Sequence, residues 1–125
     1  MNINDILKSK AGAKNSHLET KRHKFNAKKV TEDGITFDSK KEAKRYKELR
    51  IMLNTGQITY LARQVEFNLS INGSKIANYI ADFMYCRDGK TIVEDVKSEI
   101  TRKLPVYRLK KKMMLAQHGI EINEV

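Results

Sequence analysis

Two turn signals fix most of what this chain can fold into. Asn72-Gly73 and Asp88-Gly89 each stand between runs of alternating, β-branched and aromatic residues. Such pairs supply the positive φ angles of a two-residue hairpin loop. Before the first turn, "QITYLARQVEFNLSI" carries Val65, Phe67, Leu69 and Ile71 in strict alternation, which predicts a half-buried strand. "KIANYIADFMYC" is the second strand and "TIVEDVK" the third. Three strands in series, joined by tight turns, pair antiparallel.

A helix precedes them. "GITFDSKKEAKRYKELRIMLNTG" opens on Asp38 and Ser39, both good N-caps, and Ser39-x-x-Glu42 matches a capping box. Thr55-Gly56 closes it. Ala43, Tyr46, Leu49, Arg50 and Leu53 fall on one side at helical spacing. A second helix is expected from about Leu104 to His118, with Pro105 in its first turn and Gly119 as the stop. Val106, Leu109, Met113 and Gln117 make its predicted face, and Met113 and Met114 read as packing residues. "GIEINEV" is a short last strand. The order is αβββαβ. A crossover helix followed by a fourth strand implies a mixed four-stranded sheet flanked by helices, an α/β (α+β mixed) fold.

The chain has 125 residues and a formal net charge of +10. Eight basic residues and two acids lie in residues 1–30, so that segment carries +6 of the total. It reads as a mobile basic arm before one domain over residues 31–125. The excess of positive charge makes a polyanion, and DNA first among them, the expected partner. The plainer reading is a soluble basic protein without one. The single cysteine, Cys86, excludes an intrachain disulfide, and His17, His23 and His118 are too scattered for a zinc site. No apolar run is long enough for a membrane span or a secretory signal. An intracellular, cytoplasmic location is the expectation.

The sequence places acids where a strand should be apolar. A two-residue loop at Asp88-Gly89 sets Met84 opposite Val93, Asp82 opposite Asp95 and Ile80 opposite Lys97. Opposed β-carbons lie about 4.5–5.5 Å apart, where like charges destabilise a sheet. A divalent cation removes that repulsion, because hard cations such as Mg²⁺ take carboxylate oxygens. The plainer reading is a solvated face on which Lys97 pairs both acids. Glu94 points the other way by parity. Glu42 falls at the centre of the first helix's apolar stripe, a few tens of degrees from Tyr46, Leu49 and Leu53 at roughly 100° per residue. A carboxylate so aimed needs a partner, although the capping box also accounts for it. Acids, a lysine and a basic surface together fit metal-dependent phosphodiester cleavage.

Asp82, then Asp95-Val96-Lys97 after a short hairpin, resembles the PD-(D/E)xK nuclease superfamily. The preceding helix with Glu42 and the αβββαβ order are similar to that superfamily's restriction-endonuclease-like core. Residues 24–125 further resemble a small phage-encoded group of this type, through "FNAKKVTEDGITFDSKKEAKRYKEL", "YIADFMY", "VEDVKSEITR" and "YRLKKKMM". The resemblance implies that Asp82 and Asp95 bind Mg²⁺ or Mn²⁺, that Glu42 assists the metal site, and that Lys97 serves catalysis. Ala81 stands where the name-giving proline would be, and Asp95 replaces the commoner glutamate. Gln64 reads either as a satisfied polar residue of the sheet or, by the same resemblance, as a neighbour of the metal.

Tyr107, Lys110 and Lys111 after the catalytic strand, with Lys24, Lys28 and Lys29 of the arm, are candidate DNA contacts. Their plainer reading is solvated basic surface. The expectation is therefore a metal-dependent DNA endonuclease, with selectivity for branched DNA or junctions resting on analogy alone. A phage-encoded enzyme of this kind works in the host bacterial cytoplasm. Cutting both strands in one encounter calls for a homodimer. The rival readings are a non-catalytic DNA-binding protein on the same fold and a basic assembly protein.

Overall fold

The computed structural model describes residues 29–125. Residues 1–28 of the expected basic arm, including Lys24 and Lys28, lie outside the described residues, whereas Val30, its last expected residue, opens a strand. The chain divides into two compact units, one ending at Ala43 and one spanning Lys44–Val125.

In the first unit, β1 (Val30–Glu32) pairs antiparallel with β2 (Ile35–Phe37). Asp33 and Gly34 turn between them with φ of 51° and 74°. The same positive-φ geometry recurs at Asn72-Gly73 and at Asp88-Gly89. This small hairpin was not expected from the sequence, although it carries the same Asp-Gly signal. Its strands are three residues each, too short for alternation to show. Helix α1 (Lys40–Asn54) begins where the capping box predicts. Ser39 Oγ accepts from the Glu42 N–H at 3.1 Å.

The second unit is built on one mixed sheet of order β3-β4-β5-β6. Its strands are β3 (Thr59–Ile71), β4 (Ser74–Arg87), β5 (Lys90–Asp95) and β6 (Ile122–Glu124). The first three are antiparallel in series, and β6 runs parallel to β5. The expected mixed four-stranded sheet with helices is present. Between β5 and β6 lie a short helix α2 (Glu99–Arg102), not expected from the sequence, and α3 (Pro105–His118). Gly119 closes α3 at φ 66°.

Each face of the sheet carries helical residues. On one, the Tyr46 ring of α1 stacks on Phe83 at 6.3 Å between centroids, and the Arg63 guanidinium lies 5.8 Å from the Tyr46 ring. On the other, Tyr107 and Met114 of α3 join Leu69, Tyr79, Ala81, Val93 and Ile122 in one buried cluster.

Two predicted faces need correction. Arg50 is exposed, so the α1 stripe is Ala43, Tyr46 and Leu49, with Leu53 half-buried. In α3 the buried residues are Tyr107 and Met114, whereas Val106 and Leu109 are exposed. The helix is rotated from the expected orientation. Tyr107 anchors it through a hydroxyl bond to Glu124 of β6. Lys110 and Lys111, between Tyr107 and Met114 in the chain, are half-buried. Counting only apolar residues misplaces such a face. In β3, Ile71 is likewise exposed, at the hairpin end of the strand.

Candidate active site

The hairpin register is the predicted one. Arg87 pairs with Lys90, Met84 with Val93 and Phe83 with Glu94. The ladder ends there, one step short of Asp82 and Asp95, and does not extend to Ile80 and Lys97. Past Asp95 the chain keeps to its other neighbour: Val125 N–H donates to Asp95 O at 3.0 Å, and Lys97 N–H to Val125 O at 3.3 Å. The Val96 N–H is met by a side chain, Asp82 Oδ2, at 2.8 Å. Asp82 thus takes the place of the next backbone partner.

Asp82 is a near neighbour of Asp95 and acts on its carboxyl. Asp95 is 1% exposed. Burial pushes its carboxyl up to about 7, and Asp82 pushes the same way. The Tyr79 hydroxyl, which donates to Asp95 Oδ2, and Lys97 both oppose the shift. Lys97 Nζ lies 3.5 Å from Asp95 Oδ1 and 4.9 Å from the centroid of the Tyr107 ring. Gln64 Nε2 donates to Asp82 Oδ1 at 3.3 Å. Burial raises the Tyr79 and Tyr107 phenols well above their ordinary range, and neighbouring carboxylates add to both shifts, so both remain hydrogen-bond donors.

Tyr79 was not expected here. Strict alternation sets it on the same side as Phe83 and Tyr85, away from Asp95. Instead, β4 changes face between Ala81 and Phe83. Gln64, between the pairs Arg63–Phe83 and Val65–Ala81, has φ 51° within β3. Its left-handed backbone interrupts the regular pleat at that point. Nothing in the composition of "ARQVEF" announces this.

Glu94 faces away from the two aspartates, as parity predicts. It is fully buried, and Arg45 grips it with two bonds, Nε to Oε1 at 2.8 Å and Nη2 to Oε2 at 2.7 Å. The Tyr85 hydroxyl donates to the same carboxylate. Burial, then the bond to Glu94, pushes the Tyr85 phenol up to about 12, while the Glu94 bond raises Arg45 further. A buried charge without these partners would be costly.

The remaining predicted residues are placed as follows. Glu42, in the first unit, is 4% exposed in the first turn of α1. Tyr107 is buried, and its hydroxyl donates to Glu124 Oε2 at 2.7 Å. Lys111 pairs with Glu124 Oε1 at 3.2 Å. Burial raises the Glu124 carboxyl, but the bonds from Tyr107 and Lys111 outweigh it and hold the group below its usual range. Lys110 is half-buried, and Lys29 is exposed. The exposed Lys and Arg side chains of α3 are instead Arg108 and Lys112.

Among the described residues, no three His, Cys, Asp or Glu side chains form a group that could hold a metal ion. The donor set at the hairpin is two carboxylates. That set suits a hard cation such as Mg²⁺, which binds through one or two carboxylates and keeps its other positions for water and phosphate oxygens. Among the described residues, no helix is long and apolar enough to cross a membrane.

A family profile described as "Protein of unknown function (DUF1064)" matches residues 22–123. No curated protein and no solved structure matches the chain.

Proposed function

The chain belongs to the DUF1064 family, and from its hairpin site we propose that it is a metal-dependent DNA endonuclease on a restriction-endonuclease-like core. The observation that carries this reading is the juxtaposition of Asp82, Asp95 and Lys97 at the open end of the β4–β5 ladder. Two neighbouring carboxylates, one of them buried, are a poor arrangement for stability alone.

Asp82 and Asp95 are the residues that would hold Mg²⁺ or Mn²⁺. When bound, such an ion polarises phosphoryl oxygens and lowers the pKa of a coordinated water. The chain's own groups do the rest. Tyr79 and the Val96 N–H orient the two carboxylates. Lys97, held beside Asp95, offers its ammonium to a phosphoryl oxygen as negative charge develops there. The basic excess of the chain draws in the DNA backbone. Selectivity for branched DNA, a phage origin, a place in the host cytoplasm and a homodimer that cuts both strands belong to the same reading. The high positive charge would equally serve a DNA-binding protein that does not cut.

Supercoiled plasmid and a four-way junction, incubated with Mg²⁺, Mn²⁺ or EDTA, separate the two. Wild type is expected to nick or linearise DNA only with metal. Asp95→Ala and Lys97→Ala are expected to lose at least about a hundredfold in rate. No cutting with either metal, or Asp95→Ala cutting as fast as wild type, would sink the nuclease reading.

A further inference from the structure

The stretch from Ile100 to Lys112 carries an exposed surface that the cleavage site does not use. Ile100 is 68% exposed, Leu104 48%, Val106 65% and Leu109 59%. They lie on α2, on the N-cap of α3 and on its first turns, and the two helices contact each other. Four large aliphatic side chains within ten residues are more than scattered surface apolar residues require. Lys103, Arg108 and Lys112 are exposed among them. α3 itself contains no acid. The surface also adjoins the site: Lys97 precedes α2 by one residue, Ser98, and Tyr107, between Val106 and Arg108, packs its ring beneath the Lys97 ammonium.

Charge decides which occupant fits. A second copy seated by two-fold symmetry would set Lys103, Arg108 and Lys112 of both chains into one interface, with Glu99 of α2 the single exposed acid on each copy's α2–α3 surface to offset them. A polyanion is attracted by the same cations. A duplex that stays stacked, however, presents mainly phosphates and groove edges, and it accepts aliphatic side chains between its bases only at the cost of unstacking them. Unpaired nucleotides present both phosphates and open base faces. Aliphatic side chains wedge against bases wherever these are unstacked, a state that unpaired nucleotides reach without breaking pairs, and cations beside them follow the backbone.

We propose that the α2–α3 surface, centred on Leu104, Val106 and Leu109 and rimmed by Lys103, Arg108 and Lys112, binds unpaired nucleotides of DNA next to the cleavage site. The identity of the strand as substrate rests on the nuclease reading. The binding itself does not, and it is measured without metal.

Fluorescence anisotropy in EDTA, on the full chain, compares a labelled oligothymidine strand with a duplex of equal length at one salt concentration. Wild type is expected to bind the single strand more tightly. Val106→Ser/Leu109→Ser is expected to weaken single-strand binding by about tenfold, the scale of one buried aliphatic side chain, and to leave duplex binding unchanged. Arg108→Gln/Lys112→Gln is expected to weaken both and to flatten the salt dependence. If the double serine variant loses its circular dichroism, Leu109→Ala is read in its place. Equal binding of single strand by wild type and the apolar variants overturns the proposal. So does a wild type that sediments as a dimer while Val106→Ser/Leu109→Ser sediments as a monomer, which would assign the surface to a second copy. A protein that prefers single strands but cuts no plasmid leaves this surface standing and counts against the nuclease reading alone.

Discussion

The Tyr79 hydroxyl donates to Asp95 Oδ2 although regular alternation along β4 would turn the two side chains to opposite faces of the sheet. The strand changes face at Asp82, across from the left-handed Gln64. One backbone irregularity thereby brings a phenol donor to the most buried carboxylate of the site. Tyr79→Phe tests what the bond does. Its loss removes a hydrogen bond to a charged group, so metal-free stability at pH 8 should fall by about 1.5–3 kcal/mol in urea denaturation. Plasmid cleavage should fall with it. A phenylalanine variant of unchanged stability would show that the bond is not formed in solution.

The aspartate pair gives a prediction with an inverted sign. Asp82→Asn removes a charge beside Asp95 while keeping an acceptor for the Val96 N–H. In EDTA at pH 8 the variant should be more stable than wild type, by up to about 1 kcal/mol. Added Mg²⁺ should stabilise wild type and leave the variant unmoved, because only a ligand that binds the native state shifts the unfolding equilibrium. A less stable Asp82→Asn protein in EDTA would mean that repulsion is not what Asp82 contributes.

The pH dependence of the metal-free protein follows from Asp95. Its folded pKa, about 7, is above the ordinary carboxylate value. The folded state therefore holds a proton that the unfolded chain has already released. This contribution to stability is fully present below the unfolded pKa, near 4, and is lost as pH rises through about 7. Urea midpoints in EDTA should decline from pH 5 to pH 8, and Asp95→Asn should flatten the decline. A wild-type profile that is flat or rising over that window contradicts the buried setting of Asp95 beside Asp82.

On the other face of the sheet, Arg45 and Glu94 form a pair whose removal should be asymmetric. Arg45→Met leaves the Glu94 charge buried with only the Tyr85 hydroxyl for company, and about 3–5 kcal/mol of stability should be lost. Arg45→Met/Glu94→Leu removes both charges and should recover most of that loss. Denaturation of the two variants side by side measures it. A double variant no better than the single would show that the bidentate geometry, rather than an orphaned charge, sets the cost.

Local chemistry determined much of this protein. Asn72-Gly73 and Asp88-Gly89 dictate hairpin turns, because few residues tolerate positive φ, and the second turn sets the register that brings Asp82 and Asp95 to neighbouring strands. Ser39 starts α1 and Gly119 ends α3 for equally local reasons. Parity sends Glu94 to the far face, where Arg45 meets it. The rest depended on groups far apart in the chain. The rotation of α3 is fixed by Tyr107 reaching Glu124 and by Met114 entering the core, so Val106 and Leu109, the most apolar residues of its first turns, face outward. The arrival of Tyr79 at Asp95 depends on the backbone of Gln64 in the neighbouring strand. A turn is decided by the torsions of two residues, whereas a helix rotation and a change of strand face are decided by what packs against them.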